Sequence, residues 1–152
     1  RRHEQAVAQA RKALELSRNH PLALSQIGWS YLQMGLFDEA ISIMERSVNS
    51  PPALLQNLWM LGHAYAVAGK STEARGVLKE LHDRAEQQYV PPVGFALVHA
   101  GLGENDEAID WLEKAYEDRN GWMAYLNVNP LLDSLRGEPR FQDLLERMNF
   151  PD

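Results

Sequence analysis

Three carboxylates, Glu107, Asp110 and Glu113, are the residues whose spacing most suggests chemistry. They recur every three residues, and on a helix this spacing can bring two carboxylates together on one face. Such a pair could take part in acid–base catalysis. A solvated acidic helix face has the same spacing and is much the commoner cause of it. We therefore expect these residues to be structural.

The histidines are the other candidates for chemistry, and they are scattered: His3, His20, His63, His82 and His99. None of them forms a His-x-x-x-His pair, so a metal site is not indicated. No glycine-rich phosphate motif and no Gly-x-Ser-x-Gly motif occurs, and AGLGEN at 100–105 is a helix-ending turn by its position. The sequence therefore predicts no enzyme, no metal and no cofactor.

Composition and charge narrow the class of protein. The chain has 152 residues, of which 45% are apolar and 24% charged, as in one ordinary globular domain. Its net charge is -6 and its lysines and arginines form no stripe, so we expect no nucleic-acid partner. Cysteine is absent and no apolar run approaches the ~20 residues that span a bilayer, so we expect no membrane partner and a cytoplasmic location.

One segment of the sequence occurs twice. GWSYLQMGLFDEA at 28–40 returns thirty-four residues later as GHAYAVAGKSTEA at 62–74. The same shift aligns a turn glycine at Gly35, Gly69 and Gly103, and a small residue at Ala6, Ala40, Ala74 and Ala108. Repetition at a fixed period indicates a stacked array of similar structural units.

Each unit has the pattern of a helical hairpin. Large apolar residues recur at i, i+3, i+4 and i+7, which makes one buried stripe per helix. The turn glycines stand where the first helix must end, a position that favours positive φ. Ser71 or Thr72, and Asn105 or Asp106, are predicted to cap the second helix, and glutamates follow in its first turn.

The pattern resembles the tetratricopeptide repeat over residues 1 to about 118. The units Ile27-Gly28-x-x-Tyr31 and Leu61-Gly62-x-x-Tyr65 carry the resemblance together with the glycines and alanines in register. The resemblance implies an all-α, right-handed α-α superhelix with a C-terminal capping helix. It divides a single solenoid of residues 1–152 into a half repeat 1–20, repeats 21–54, 55–88 and 89–120, and a cap 121–152.

Some positions depart from that repeat. Leu24 and Leu58 replace its tryptophan, Ser47 replaces an alanine, and Pro92 and His99 replace landmarks of the first helix. We interpret His99 as a packed helix residue rather than as a ligand or pH sensor.

The chain begins in the middle of a repeat, at Arg1 and without a methionine. We therefore expect it to be a piece of a longer protein. The apolar face of the first helix, with Val7, Ala10 and Leu14, is expected to lack its usual neighbour.

The period is lost in the last 32 residues, 121–152. A short apolar helix after Gly121, turns at Asn129-Pro130 and Gly137-Glu138-Pro139, and an amphipathic helix with Phe141 and Leu144 are predicted as a cap. The pattern PxxxxLRxxPRFxxLLxxM, here Pro130 to Met148, resembles the carboxyl end of tetratricopeptide regions in multidomain bacterial or archaeal signalling proteins. Those are winged-helix transcriptional activators, nucleotide cyclases and Ser/Thr kinases, and the resemblance implies an effector domain upstream.

The tetratricopeptide resemblance also implies a binding wall, because in that family the first helix of each hairpin lines a concave surface. By position, this wall contains Leu22, Ser25, Trp29, Leu32, Gln33, Gln56, Trp59, His63, Ala66, Val67, Val93, Leu97, Ala100 and Gly101. It is apolar and lacks the lysines, arginines and asparagines with which family members bind an acidic peptide terminus.

We expect this wall to bind an apolar or helical segment of a partner protein, as the regulatory region of a signalling or transcription-regulating protein. Two other functions stay open: a sensor for a small apolar ligand, and a homodimerisation module. Trp29 and Trp59 could also be covered by neighbouring helices or by the expected upstream segment, or form a dimer contact. Trp111 and Trp122 are predicted to be packing residues.

Overall fold

The computed structural model describes residues 2–16, 18–51 and 53–150. In these ranges the only regular secondary structure is helical, and the helices are joined by turns and short loops. The predicted outer bounds, residues 1 and 152, lie outside these ranges. The α-helices are α1 (Arg2–Leu16), α2 (Pro21–Gln33), α3 (Phe37–Val48), α4 (Leu55–Val67), α5 (Ser71–Ala85), α6 (Pro92–Gly101), α7 (Asn105–Glu117) and α8 (Pro139–Met148). Two 3₁₀-helices, Gly121–Val128 and Pro130–Leu135, stand between α7 and α8.

The helices pack as a row of hairpins, which confirms the helical-repeat solenoid. α2 pairs with α3, α4 with α5 and α6 with α7, while α1 lies against α2. α4 also contacts α3 and α6, so each hairpin packs on the next one along the chain. None of the described helices has the length and apolar content that crossing a bilayer requires.

The turn glycines adopt the predicted backbone conformation. Gly35, Gly69 and Gly103 have φ of 71°, 77° and 76°. In each turn the amide of the next residue donates to the carbonyl of a residue five positions earlier, for example Leu36 N to Tyr31 O at 2.9 Å. This bond closes the end of the first helix in each hairpin.

The predicted helix caps are wrong. Ser71 and Asn105 are the first residues inside α5 and α7, and the capping positions belong to Lys70 and Glu104, whose side chains make no cap bond. The residue directly after each glycine already occupies the capping position. For example, the carbonyl oxygen of Lys70 accepts a hydrogen bond from the amide of Ala74, inside α5. The predicted glutamates do lie in the first turns of α3, α5 and α7.

Among the described residues, the buried apolar side chains form three clusters. The largest runs from α4 to α8 and includes the fully buried Phe95, Leu112 and Phe141. A second surrounds Met44 between α3 and α4, and a third joins α1 to α2. The prediction for the apolar face of α1 is wrong in part, because Val7 and Ala10 are each only 8% exposed in the structure.

The carboxyl-terminal cap contains the predicted short apolar helix after Asn120. It is a 3₁₀-helix, Gly121–Val128. Met123 and Leu126 form its buried face. The side-chain oxygen of Asn120 accepts from Trp122 N at 3.0 Å and starts the helix. The amphipathic helix α8 buries Phe141 and Leu144 as predicted.

Candidate functional site

An open groove of about 880 Å³ runs between the first helices of the hairpins and the first 3₁₀-helix. One wall is made by α2, α4 and α6, and the other by residues 121–130. The lining residues are Leu22, Ser25, Gln26, Trp29, Gln56, Trp59, Met60, Val93, Leu97, Gly121, Trp122, Tyr125, Val128, Asn129 and Pro130. None of these side chains carries a charge.

The wall from α2 follows the helical period. Leu22, Gln26 and Trp29 are spaced by three or four residues, so they lie on one face of the helix. Leu22 is 60% exposed, although it is apolar. α2 therefore presents an unprotected apolar edge to the groove.

The opposite wall is the exposed face of the first 3₁₀-helix. With three residues per turn, side chains at i, i+3 and i+6 line up along one side. Trp122, Tyr125 and Val128 occupy that side and are 43%, 61% and 71% exposed. Together with Leu22 they make up a majority of the large apolar side chains that are exposed among the described residues.

Trp59 forms the floor of the groove, and it is only 3% exposed. Its ring meets Trp122 edge to face, with centroids 6.1 Å apart and planes at 90°. Gly94 allows α6 to pass close to this ring, since a Cβ at that position would lie 2.7 Å from Trp59 Cε3. Trp59 therefore packs like a core residue.

Part of the predicted wall lines the groove and part does not. Leu22, Ser25, Trp29, Gln56, Trp59, Val93 and Leu97 line it, whereas Leu32, Gln33, His63, Ala66, Val67, Ala100 and Gly101 do not. The latter lie further along their helices or on faces turned into the packing between helices.

His63 is buried between α4 and α6. It donates a hydrogen bond through Nδ1 to the carbonyl oxygen of Leu97, 2.7 Å away. Burial lowers the pKa of His63, and this hydrogen bond offsets only part of the effect. The side chain is thus a neutral link between two helices and not part of the groove surface.

The hydroxyl of Ser25 belongs to a polar network beneath the groove. Ser25 Oγ donates to Asn57 Oδ1 at 2.6 Å, and Asn57 Nδ2 donates to Ser47 Oγ at 2.6 Å. Asn57 and Ser47 are 1% and 0% exposed. The network satisfies buried polar groups of α2, α3 and α4 and thereby links the first two hairpins.

The sequence interpretation missed the far wall. Trp122 was predicted to be a packing residue, and that is wrong because it is exposed on the groove. Tyr125 and Val128 were not predicted to line the groove, although the three-residue spacing of Trp122, Tyr125 and Val128 is visible in the sequence. The prediction for Trp111 is confirmed, since its ring stacks on Phe95 with centroids 4.2 Å apart.

The three carboxylates of α7 do not form an acidic pair. Arg140 on α8 lies 2.7 Å from Asp110 Oδ1 and 3.0 Å from Glu113 Oε2, and Glu107 is exposed. These ion pairs join α7 to the cap. In residues 2–16, 18–51 and 53–150, no group of three or more histidines and carboxylates is arranged to hold a metal ion.

Comparison with known proteins identifies one stretch of the chain. Residues 22–53, which span α2 and α3, match the family model of the tetratricopeptide repeat. No curated protein matches the sequence. Tetratricopeptide repeats generally mediate contacts between proteins, and their all-helical fold typically serves as a non-catalytic scaffold.

Proposed function

We propose that this protein is an interaction scaffold whose groove binds an apolar peptide segment of a partner protein. The observation that carries the proposal is an uncharged groove with exposed apolar side chains on both walls, Leu22 on one and Trp122, Tyr125 and Val128 on the other. Contiguous exposed apolar surface in a folded protein marks a site of interaction.

The composition of the groove supports this function. Tryptophan and tyrosine are enriched among the residues that contribute most to binding at protein interfaces. The rings of Trp122 and Tyr125 are partly exposed, and Trp59 packs edge to face against the ring of Trp122. A partner side chain that covers these rings would remove apolar surface from water, which favours binding. Rings that are already packed lose little conformational freedom when a partner binds.

We further propose that the scaffold is the regulatory region of a multidomain signalling or transcription-regulating protein. This part rests on the resemblance of residues 130–148 to the carboxyl ends of such proteins. Leu135, Phe141 and Leu144 of that pattern are 0% exposed, so its apolar positions serve to pack the cap.

Two other functions fit some of the same observations. The groove volume of about 880 Å³ is within the range of small-molecule sites, but an open groove suits a peptide better than an enclosed ligand. The exposed apolar wall could also pair with a second copy of the chain. A molecular mass that rises with protein concentration in light scattering would favour that alternative.

Selection from a peptide display library, followed by calorimetric titration of the selected peptides, tests the proposed function. Leu22→Asp places a charge in the uncharged groove at a position that is 60% exposed, so the fold should persist and binding should be lost. Phe37→Asp changes an exposed apolar residue outside the groove lining and is the control. Selected peptides that bind Leu22→Asp as tightly as the original protein would contradict the proposal.

A further inference from the structure

The far wall presents two neighbouring rings that form a notch. The ring centroids of Trp122 and Tyr125 are 6.3 Å apart and their planes are inclined by 56°. Rings in a parallel stack cover each other's faces, whereas inclined rings leave a wedge of apolar surface between them. A compact, rigid apolar side chain is the group that fits such a wedge.

Two side-chain amides line the same groove as these rings. Asn129 uses its Oδ1 to accept from Leu131 N at 3.1 Å, and its Nδ2 group has no acceptor within the described residues. The side-chain amide of Gln56, on the opposite wall, makes no hydrogen bond to the described residues. Both side chains line the groove and can donate to carbonyl groups of a bound peptide.

The lack of charge in the lining restricts the peptide further. An amphipathic helix places charged or polar flanks beside its apolar stripe, and against an uncharged wall those flanks lose water without gaining partners. The backbone carbonyls of such a helix are also already paired within the helix. An extended segment in the polyproline II conformation has no internal hydrogen bonds, so its carbonyls remain available as acceptors.

We propose that the groove holds an uncharged, proline-containing segment of a partner protein in the polyproline II conformation. A proline ring lies between Trp122 and Tyr125, and carbonyls of the segment accept from Asn129 and Gln56. The conformation is already formed in the free peptide, which lowers the entropy lost on binding. The inference rests on the proposed function, because it specifies the peptide that the same groove binds.

Calorimetric titration with a short, end-blocked polyproline peptide tests the inference, with an end-blocked alanine–leucine helical peptide of equal length as the comparison. We expect the polyproline peptide to bind more tightly. Tyr125→Ala should weaken its affinity about tenfold or more, as removal of a principal contact ring does. Phe37→Ala is the control, since Phe37 is also an exposed aromatic residue, at 38%, and only Tyr125 lines the groove.

A second measurement does not depend on a variant. In the unaltered protein, the indole N–H resonance of Trp122 and the side-chain amide resonances of Asn129 and Gln56 should shift as polyproline peptide is added. Unchanged resonances during saturable binding would place the peptide elsewhere and overturn the inference.

The remaining outcomes separate this inference from the proposed function. Binding of the helical peptide in a Tyr125-dependent manner, without binding of polyproline, would overturn the inference and leave the groove as a peptide site. Polyproline binding that Tyr125→Ala leaves unchanged would also overturn it. If no peptide of either kind binds and none is selected from a library, both proposals fail.

Discussion

Gly62 of α4 lies so close to Val77 of α5 that a Cβ on the glycine would be 2.7 Å from Val77 Cγ1. The same atom would be 2.8 Å from Val98 Cγ2 on α6. Three helices therefore meet at a position that has no room for a side chain. The substitution Gly62→Leu should lower the free energy of unfolding by roughly 1–3 kcal/mol or more, because it overpacks the crossing. Urea denaturation measures this change.

Gly76 provides the control for that prediction. It lies within α5, and a Cβ there would have no atom within 4 Å. Gly76→Ala should raise the free energy of unfolding by about 0.5–1 kcal/mol, since alanine restricts the unfolded chain and favours the helix. If Gly62→Leu unfolded at the same urea concentration as the original protein, the assignment of the helix crossing would be wrong.

Trp59→Ala should cost about 3–5 kcal/mol of unfolding free energy, as expected for a large aromatic residue removed from a core. The reason is that only 3% of Trp59 is exposed and that it packs on Gly94 and Trp122. Trp122→Ala, at a residue that is 43% exposed, should cost clearly less in the same denaturation experiment. A cost of less than about 1 kcal/mol for Trp59→Ala would show that Trp59 belongs to the groove surface and not to the core.

His63 should make the protein less stable in mild acid. Burial lowers the pKa of His63 in the folded state, so between that pKa and the unfolded value of about 6.5 the unfolded chain binds more protons. Its contribution to stability is complete above about pH 6.5 and is lost as the pH falls. Denaturation from about pH 7.5 to pH 5 measures the slope, and His63→Gln should reduce it. Parallel slopes would mean that other groups cause the pH dependence.

Asn57→Ala should lower the free energy of unfolding by about 1–3 kcal/mol, because it removes two side-chain hydrogen bonds that link α2, α3 and α4. Asn57 accepts from Ser25 and donates to Ser47, both at 2.6 Å. A double-mutant cycle with Ser47→Ala isolates the Asn57–Ser47 bond. Strictly additive effects of the two substitutions would show that this bond contributes nothing of its own.

Much of the fold was predictable because a repeat supplies the same local information several times. Gly35, Gly69 and Gly103 each mark a turn, and the positive φ that a turn requires is a property of the local chain. The exact first residue of α5 was not predictable in this way. Ser71 is a good capping residue by type, but the turn had already placed Lys70 at that position.

The groove was predictable only on the side built by the repeat. Trp29 and Leu97 could be placed by their position in the first helices, because helices of the same kind stack in the same orientation. Trp122 and Tyr125 reach the groove because the chain turns back after α7. A single sequence does not show against which helices such a segment packs. Their spacing of three residues marks the 3₁₀-helix but not the wall that it faces.

The separation of the core into clusters implies that different parts of the chain open to solvent at different rates. Ala10, Ala23 and Ile27 tie α1 to α2 in a small cluster, so α1 can open without exposing the large cluster from α4 to α8. Amide hydrogens of α1 and α2 should then exchange with deuterated water faster than those of α6 and α7. A peptide that spans the groove from Leu22 to Tyr125 would link α2 to the first 3₁₀-helix, which packs on the large cluster. It should then slow amide exchange even at residues of α2 that the peptide does not contact.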